Sequence, residues 1–202
     1  MSGDTEGVAE DSERFWDERY RAEEAVPERG PAPFLVEHRD LLPRRRRGRA
    51  LDVAMGTGRN ALYLASLGYE VTGIDVSGVA VERCRSEAAR RGLHVSAVQA
   101  DLEAYELPPA AYDIVIDFYY LQRELTPALA AALRPGGVLV FESFTTEQRR
   151  FGWGPQQDEF LLRPGELRSL FPALEVLTYR EGVVESDRGK KAVAGLVARK
   201  QR

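Results

Sequence analysis

From residue 50 onward, short apolar runs alternate with amphipathic stretches. Residues 50–54 (ALDVA) make an apolar run carrying one acid. Gly56 and Gly58 follow, then a helical stretch over 60–67 closed by Gly68. Residues 70–74 (EVTGI) read as a second strand ended by Asp75, and Ser77 caps a helix over 78–91 that Gly92 closes. A third strand over 95–98 ends near Asp101, and a fourth over 113–118 is almost continuously apolar. A helix over 125–133 is broken by Pro135, Gly136 and Gly137, and a fifth strand covers 138–141. Five strand-then-helix units in succession predict a parallel sheet with helices on both faces, because parallel strands need crossovers. The rhythm then changes. Residues 144–162 are irregular, 164–171 are helical, and strands over 174–179 and 192–198 are joined by a polar turn containing Asp187, Arg188 and Gly189. Two strands without an intervening helix predict an antiparallel hairpin, which brings the count to seven.

Upstream of residue 50 the pattern is weaker. Residues 1–12 are small, polar and acidic and are expected to lack structure. A helix begins at Ser12 and carries Phe15, Trp16 and Tyr20; Pro27, Gly30, Pro31 and Pro33 break it. A second short helix over 34–42 leads to Pro43 and a run of four arginines, Arg44 to Arg47.

Composition narrows the class. At 202 residues, with 44% hydrophobic and 30% charged positions, the chain is sized for one soluble domain over 13–202. The net charge of −4 argues against a dedicated nucleic-acid binder, and the arginine run with Arg49 reads as a solvated loop. Cys84 stands alone, so no intrachain disulfide forms, which fits a reducing, cytoplasmic setting. His38, His94 and Cys84 have no metal-ligand spacing, so no metal is expected. No apolar run reaches the roughly 18 residues that cross a membrane, and the first 13 residues hold five acids and no base, the opposite of a signal peptide. The chemistry leaves the oligomeric state open between monomer and weak dimer.

The segment Leu51-Asp52-Val53-Ala54-Met55-Gly56-Thr57-Gly58-Arg59-Asn60-Ala61 carries the chemistry. Glycines between a strand and a helix let a ligand press on the backbone and the helix start. Gly56-x-Gly58-x-x-Ala61 matches the dinucleotide fingerprint, and Asp75 at the end of the next strand is placed to accept from ribose hydroxyls. These two features indicate a nucleoside-containing cofactor without choosing between NAD and S-adenosylmethionine. Asp52 bears on the choice: a carboxylate beside the turn repels a pyrophosphate but attracts the ammonium and sulfonium of S-adenosylmethionine. Asp101, after the third strand, is placed to meet the adenine amino group. The steps of 23 residues from Asp52 to Asp75 and 26 from Asp75 to Asp101 each fit one strand–helix–strand unit. Asp75 and Asp101 also read as helix caps, and Trp16 and Tyr20 as plain packing four residues apart. Arg59 opposes the dipole of the helix it starts, so a carboxylate such as Asp52 or Asp117 is expected to hold it.

In these motifs the chain resembles the class I S-adenosylmethionine-dependent methyltransferases, over residues 15–199. The motifs are LDVAMGTGRNA, with Ala54 where that family has its first glycine, GIDVS around Asp75, QADL at Asp101 and Leu102, YDIVIDF over 112–118, LRPGGVLV over 133–140, and the opening FWDERY. GTGRNALYLASLGYEV and the tail are similar to the tellurite-resistance and thiopurine methyltransferase-like branch. The resemblance implies a Rossmann-like α/β fold with a seven-stranded, mainly parallel sheet and a C-terminal antiparallel hairpin. It implies S-adenosyl-L-methionine as cofactor, with Asp52, Val53, Ala54, Met55, Gly56, Thr57, Gly58, Arg59 and Asn60 lining its methionine moiety. It also implies Asp75 at the ribose, Val76 and Leu102 beside the adenine, and Asp101 at the adenine amine. Asp117 and Phe118 would face the methionine amine and the methyl group. Trp16, Arg19 and Tyr20, in a cofactor-covering segment over 13–42, would close over it.

The expected function is methyl transfer to a nucleophile on a small molecule. Asp117, Tyr119, Tyr120 and Arg123 are the candidate catalytic helpers, and the 144–162 loop is a substrate wall or lid. The alternatives are an RNA or protein methyltransferase, an NAD-dependent oxidoreductase, and a cofactor-binding regulatory protein without transfer activity.

Overall fold

The computed structural model describes residues 3–22, 30–44 and 47–202. Pro27, and Arg45 and Arg46 of the arginine run, lie outside them. Seven strands follow the order β3-β2-β1-β4-β5-β7-β6. They are β1 (Arg49–Val53), β2 (Glu70–Asp75), β3 (Val95–Gln99), β4 (Tyr112–Phe118), β5 (Leu133–Phe144), β6 (Leu174–Ser186) and β7 (Gly189–Lys200). The β1–β2, β2–β3 and β4–β5 pairs are parallel, whereas β5–β7 and β6–β7 are antiparallel. The mainly parallel sheet and the C-terminal hairpin therefore have the arrangement that the alternation of apolar runs predicts. The helices are α1 (Gly3–Ala22), α2 (Pro33–Glu37), α3 (Arg59–Ser66), α4 (Gly78–Arg90), α5 (Thr126–Ala132) and α6 (Glu166–Leu170). None of the helices in the described residues is long and apolar enough to cross a membrane.

Four local expectations change. α1 begins at Gly3 rather than Ser12, so it takes in most of the segment expected to lack structure; no proline interrupts it before Pro27. Between β3 and β4 there is a turn and no helix, because Pro108 and Pro109 remove backbone donors. β5 starts at Leu133 and runs through Pro135-Gly136-Gly137, with a register shift against β4 between Tyr112 and Ile114. The hairpin strands are longer than their apolar cores, reaching 13 and 12 residues. β7 is buried along Lys191–Ala198, and its neighbour β6 largely alternates exposed and half-buried positions, which hides its length from a search for apolar runs.

The chain divides into two compact units. One comprises Met1–Val36 and Arg45–Glu106, the other Glu37–Arg44 and Leu107–Arg202. In the first, Leu51, Val53, Leu64 and Ile74 are fully buried, and Met55, Val81, Cys84 and Ala97 form a cluster beside them. In the second, Ile114, Ile116, Leu139, Leu196 and the tilted ring pair Phe141–Phe171 fill the core, the two rings 5.6 Å apart. Burial of each such side chain contributes about 1.5–3 kcal/mol.

Candidate cofactor site

In the first unit β1 delivers Asp52 and then turns sharply. Ala54 takes φ +49°, Gly56 φ +56° and Gly58 φ +84°. The left-handed region suits glycine and costs an alanine about 1–2 kcal/mol. The turn is pinned by Met55 N–H donating to Ile74 O (2.9 Å) and Gly58 N–H donating to Met55 O (3.0 Å). Both glycines are also needed for space. A Cβ on Gly56 would stand 2.8 Å from Tyr20 Oη, and one on Gly58 would stand 2.3 Å from Cys84 Sγ. Burial pushes the Cys84 thiol up to about 12, so it is an inert packing group.

Asp75 ends β2 and locks the turn to α4. Its Oδ2 accepts Gly56 N–H at 2.7 Å and its Oδ1 accepts Ser77 N–H at 2.9 Å. A carboxylate has about four lone-pair sites, so capacity remains for two further donors. Burial raises its pKa, while the Ser77 and Gly56 N–H groups pull the other way. Ser77 caps α4 as its sequence position predicts, accepting Ala80 N–H at 3.1 Å.

Asp52 is in a different condition. It is 1% exposed. One side of its carboxyl accepts the Ala61 N–H, but Oδ2 has no hydrogen-bond partner. Burial, opposed by the Ala61 N–H and by Arg59 and abetted by Asp75, pushes its pKa up to about 8. A buried polar oxygen without a partner is rare and costly.

α1 lies over this turn. The sequence singled out Trp16, Arg19 and Tyr20 but missed the residue that docks the helix, Asp17. Its Oδ1 accepts Ser77 Oγ–H (2.6 Å) and Val79 N–H (3.2 Å), and its Oδ2 accepts Arg21 Nη2–H (2.8 Å). Burial alone would raise this carboxyl, yet the Ser77 hydroxyl, the Val79 N–H and Arg21 hold it below its ordinary value. The available signal was an acid between two aromatics in a helix facing a strand-to-helix junction rich in free N–H groups. Docking sets Tyr20 against Gly56, with Trp16 6.0 Å from the Tyr20 ring and the Arg19 guanidinium 5.0 Å from the Trp16 ring.

The other residues of the predicted lining are in the same unit. Val53 and Met55 are buried, Thr57 is exposed, and Arg59 and Val76 are half-buried. Asn60 is buried, and its Oδ1 accepts the Ala32 N–H at 2.8 Å, tying the approach to α2 onto α3. Leu102 is buried; Asp101 is half-buried and caps its own turn by accepting Glu103 N–H at 2.9 Å.

The predicted helpers sit in the second unit. Asp117 and Phe118 are buried at the end of β4. Tyr119 follows with φ +70°, a strained conformation for a tyrosine. Its N–H donates to Glu142 O (2.8 Å), its hydroxyl donates to Glu142 Oε1 (2.5 Å) and accepts from Lys191 Nζ (2.5 Å). Glu142 is fully buried and also receives Arg180 Nη2–H at 2.7 Å. Burial would raise this carboxyl, but Lys191, the Tyr119 hydroxyl and Arg180 hold it below its ordinary value. The sequence pointed to neither Glu142 nor Lys191. Tyr120 Oη donates to Gln122 Oε1 at 2.9 Å.

Arg123 is taken up by structure. It pairs with both oxygens of Glu166 (2.7 and 3.0 Å) and donates to Glu159 O and Leu161 O (2.8 and 2.9 Å). It thereby clamps the end of the 144–162 loop. That loop is ordered by two 3-10 turns, by a bridge between Thr145 and Leu162, and by the buried Gln148, which donates to Trp153 O and accepts Ala192 N–H. Phe144 stands between Tyr119 (5.0 Å) and Trp153 (5.8 Å).

The residues of the first unit suit S-adenosylmethionine. An orphaned buried carboxyl offers a seat for a cation, and a second carboxylate has acceptor capacity left for a diol. The same buried acid offers the pyrophosphate of a dinucleotide no countercharge.

Comparison with known proteins agrees. Residues 50–137 match the methyltransferase domain family. Over 156 residues the chain is 31% identical to malonyl-[acyl-carrier protein] O-methyltransferase of Enterobacter lignolyticus, covering 65% of this chain and 61% of that protein. Over 168 residues it is 27% identical to the probable S-adenosyl-L-methionine-dependent methyltransferase TehB of Haemophilus influenzae, covering 76% and 57%. The chain thus spans about three-fifths of the length of these curated relatives. Among solved structures, a protein studied for conversion of a disulfide bond into a thioacetal group during echinomycin biosynthesis superposes with a TM-score of 0.73 at 23% identity, covering 94% of this chain and 93% of that one. TehB from H. influenzae gives 0.68 at 22% identity, covering 94% and 67%. Residues 50–137 thus match the methyltransferase domain family, TehB-like S-adenosyl-L-methionine-dependent methyltransferases are among the relatives of the chain, and its fold is that of the solved TehB structure.

Proposed function

We propose that the protein transfers the methyl group of S-adenosylmethionine to a nucleophile on a small molecule. The observation that carries the cofactor reading is the orphaned, fully buried Asp52 Oδ2 beside a turn already fixed by Asp75. On this reading Asp52 meets the amino-acid end, Asp75 takes the ribose hydroxyls, Val76 and Leu102 flank the adenine, Asp101 takes the adenine amine, and Trp16, Arg19 and Tyr20 cover the methionine side.

When bound, the sulfonium supplies an activated methyl group and a neutral thioether leaving group. The protein's contribution is alignment and exclusion of water. The small-molecule acceptor is favoured by the net charge of −4, which offers no polyanion footprint. Asp117, Tyr119 and Tyr120 are the candidates for handling the acceptor. Arg123 takes no part on this reading, because its guanidinium is already engaged by Glu166 and by the Glu159 and Leu161 carbonyls.

Titration calorimetry with S-adenosylmethionine, S-adenosylhomocysteine and NADH tests the cofactor. Micromolar binding of the two sulfur ligands and none of NADH is the expected outcome. A radiolabelled methyl-transfer screen of small thiols, oxyanions and RNA then tests the acceptor class. Transfer to RNA alone overturns the small-molecule reading.

A further inference from the structure

Asp52 is buried, its Oδ2 touches no donor, and its other oxygen accepts a single backbone N–H, from Ala61. The charged groups acting on it from neighbouring elements are Arg59 at the start of α3 and Asp75 of β2, and Cys84 of α4 feels its charge in turn. On β4, the strand next to β1 in the sheet order, the acids are Asp113 and Asp117, of which Asp113 pairs with Arg134. The guanidinium of Arg59 does not hydrogen-bond to Oδ2. A carboxylate so placed would be an anion in a dry site beside a second carboxyl, so the empty protein keeps a proton on it. A cation arriving at Oδ2 reverses that balance.

We infer that cofactor binding expels one proton from Asp52, whose carboxylate then becomes the buried counter-ion of the cofactor's ammonium group. The Asp52 O–H bond breaks, the proton passes to buffer, and no bond of the cofactor changes. This rests on the cofactor reading above and adds a proton to its binding equilibrium. Burial pushes Asp52 up to about 8, which keeps it protonated through the neutral range. An α-amino group titrates at about 7.7–8.0, so near pH 6.5 the cofactor already arrives charged. Binding at that pH therefore releases nearly one proton, and affinity rises close to tenfold per pH unit between about pH 5.5 and 7.

The test is calorimetry at pH 6.5 in buffers of different ionisation enthalpy, which counts protons directly. S-adenosylmethionine and S-adenosylhomocysteine, which share the ammonium, should each release about one proton from the wild type. 5′-Methylthioadenosine, which lacks it, should bind with none released, and Asp52→Asn should abolish release by the first two. Should that variant fail to bind or fold, difference infrared spectroscopy on the wild type gives the same answer. The carbonyl band of a protonated carboxylic acid must disappear on addition of S-adenosylhomocysteine. Binding without proton exchange, proton uptake, release by 5′-methylthioadenosine, or undiminished release in Asp52→Asn each overturns the inference while leaving the cofactor reading standing. Absence of any binding by the sulfur ligands overturns both.

Discussion

Asp52→Asn in the cofactor-free protein should stabilise the fold, by an amount that depends on pH. In the unfolded chain the carboxyl titrates at its ordinary value of 3.8, and in the folded protein at about 8. A group whose pKa is raised on folding contributes stability that is fully present below about 3.8 and is lost as pH rises toward and through about 8. Each pH unit across that window removes about 1.4 kcal/mol, so the wild type carries a penalty of about 4 kcal/mol at pH 7 relative to acid conditions. Asparagine does not titrate and escapes this penalty. It loses about 1–3 kcal/mol by burying an amide with unmet hydrogen bonds. The net gain at pH 7 is about 1–3 kcal/mol, or roughly 2–12 °C in Tm for a chain of this size. The assay is chemical denaturation of both proteins at matched pH values from 4 to 9. The difference between them should climb through the window and level off above about pH 8. A difference that is flat in pH would refute the reasoning, because it would mean that Asp52 ionises normally in the folded state.

Gly58→Ala should cost about 2–4 kcal/mol, from left-handed strain and the collision with Cys84 Sγ; adding Cys84→Ala should recover the collision part, as a double-mutant cycle in urea reads out. Ala54→Gly should gain about 0.5–1 kcal/mol by relieving the positive φ, seen as a higher denaturation midpoint. Asp17→Ala should expose α1 to limited proteolysis several-fold faster while shifting the global midpoint by only about 1 kcal/mol, because it removes a cap and not core. Lys191→Met should cost about 3 kcal/mol at pH 7 by stranding part of the Glu142 charge. Glu142 has a depressed pKa, so its contribution is present above about 4.5 and lost as pH falls through its folded value. The cost of Lys191→Met should therefore shrink in acid, and equal destabilisation at pH 7 and pH 3 would contradict the assignment.

The order of apolar runs sufficed for the strands because the buried strands of a parallel sheet are nearly unbroken hydrophobic segments. Ile114, Val115 and Ile116 announce β4 without any partner in view. The hairpin was legible in kind and underestimated in length, because half of β6 faces outward and carries Glu175, Glu181 and Glu185 among its apolar positions. The missing helix between β3 and β4 was written in Pro108 and Pro109, but the periodic rhythm on either side outweighed them. At the site, residues bonded locally were readable. Gly56, Gly58, Asp75 and Ser77 lie in fixed order along one strand–turn–helix path. Asp17 and Glu142 were not readable, since their partners are 60 residues away for Asp17–Ser77 and 49 away for Glu142–Lys191. Only the folded chain brings such partners together.

The two ends of the strand order bear on how copies of this chain behave when concentrated. A sheet invites another strand wherever it presents a long, flat row of free amides and carbonyls. At one end β3 offers only five residues. At the other, β6 is long, and Val176 and Val183 are exposed on it. However, its register shifts between Val176 and Thr178, Gly182 sits at φ +147°, and acidic and basic side chains punctuate its length. A neighbouring molecule laid along that margin would lose register within a few residues and bring Glu175, Glu181 and Glu185 against a like-charged copy of themselves. The features that disfavour fibrous stacking thus lie in the same hairpin that completes the fold, and a valine in place of Glu181 or Glu185 would be the change most apt to erode them.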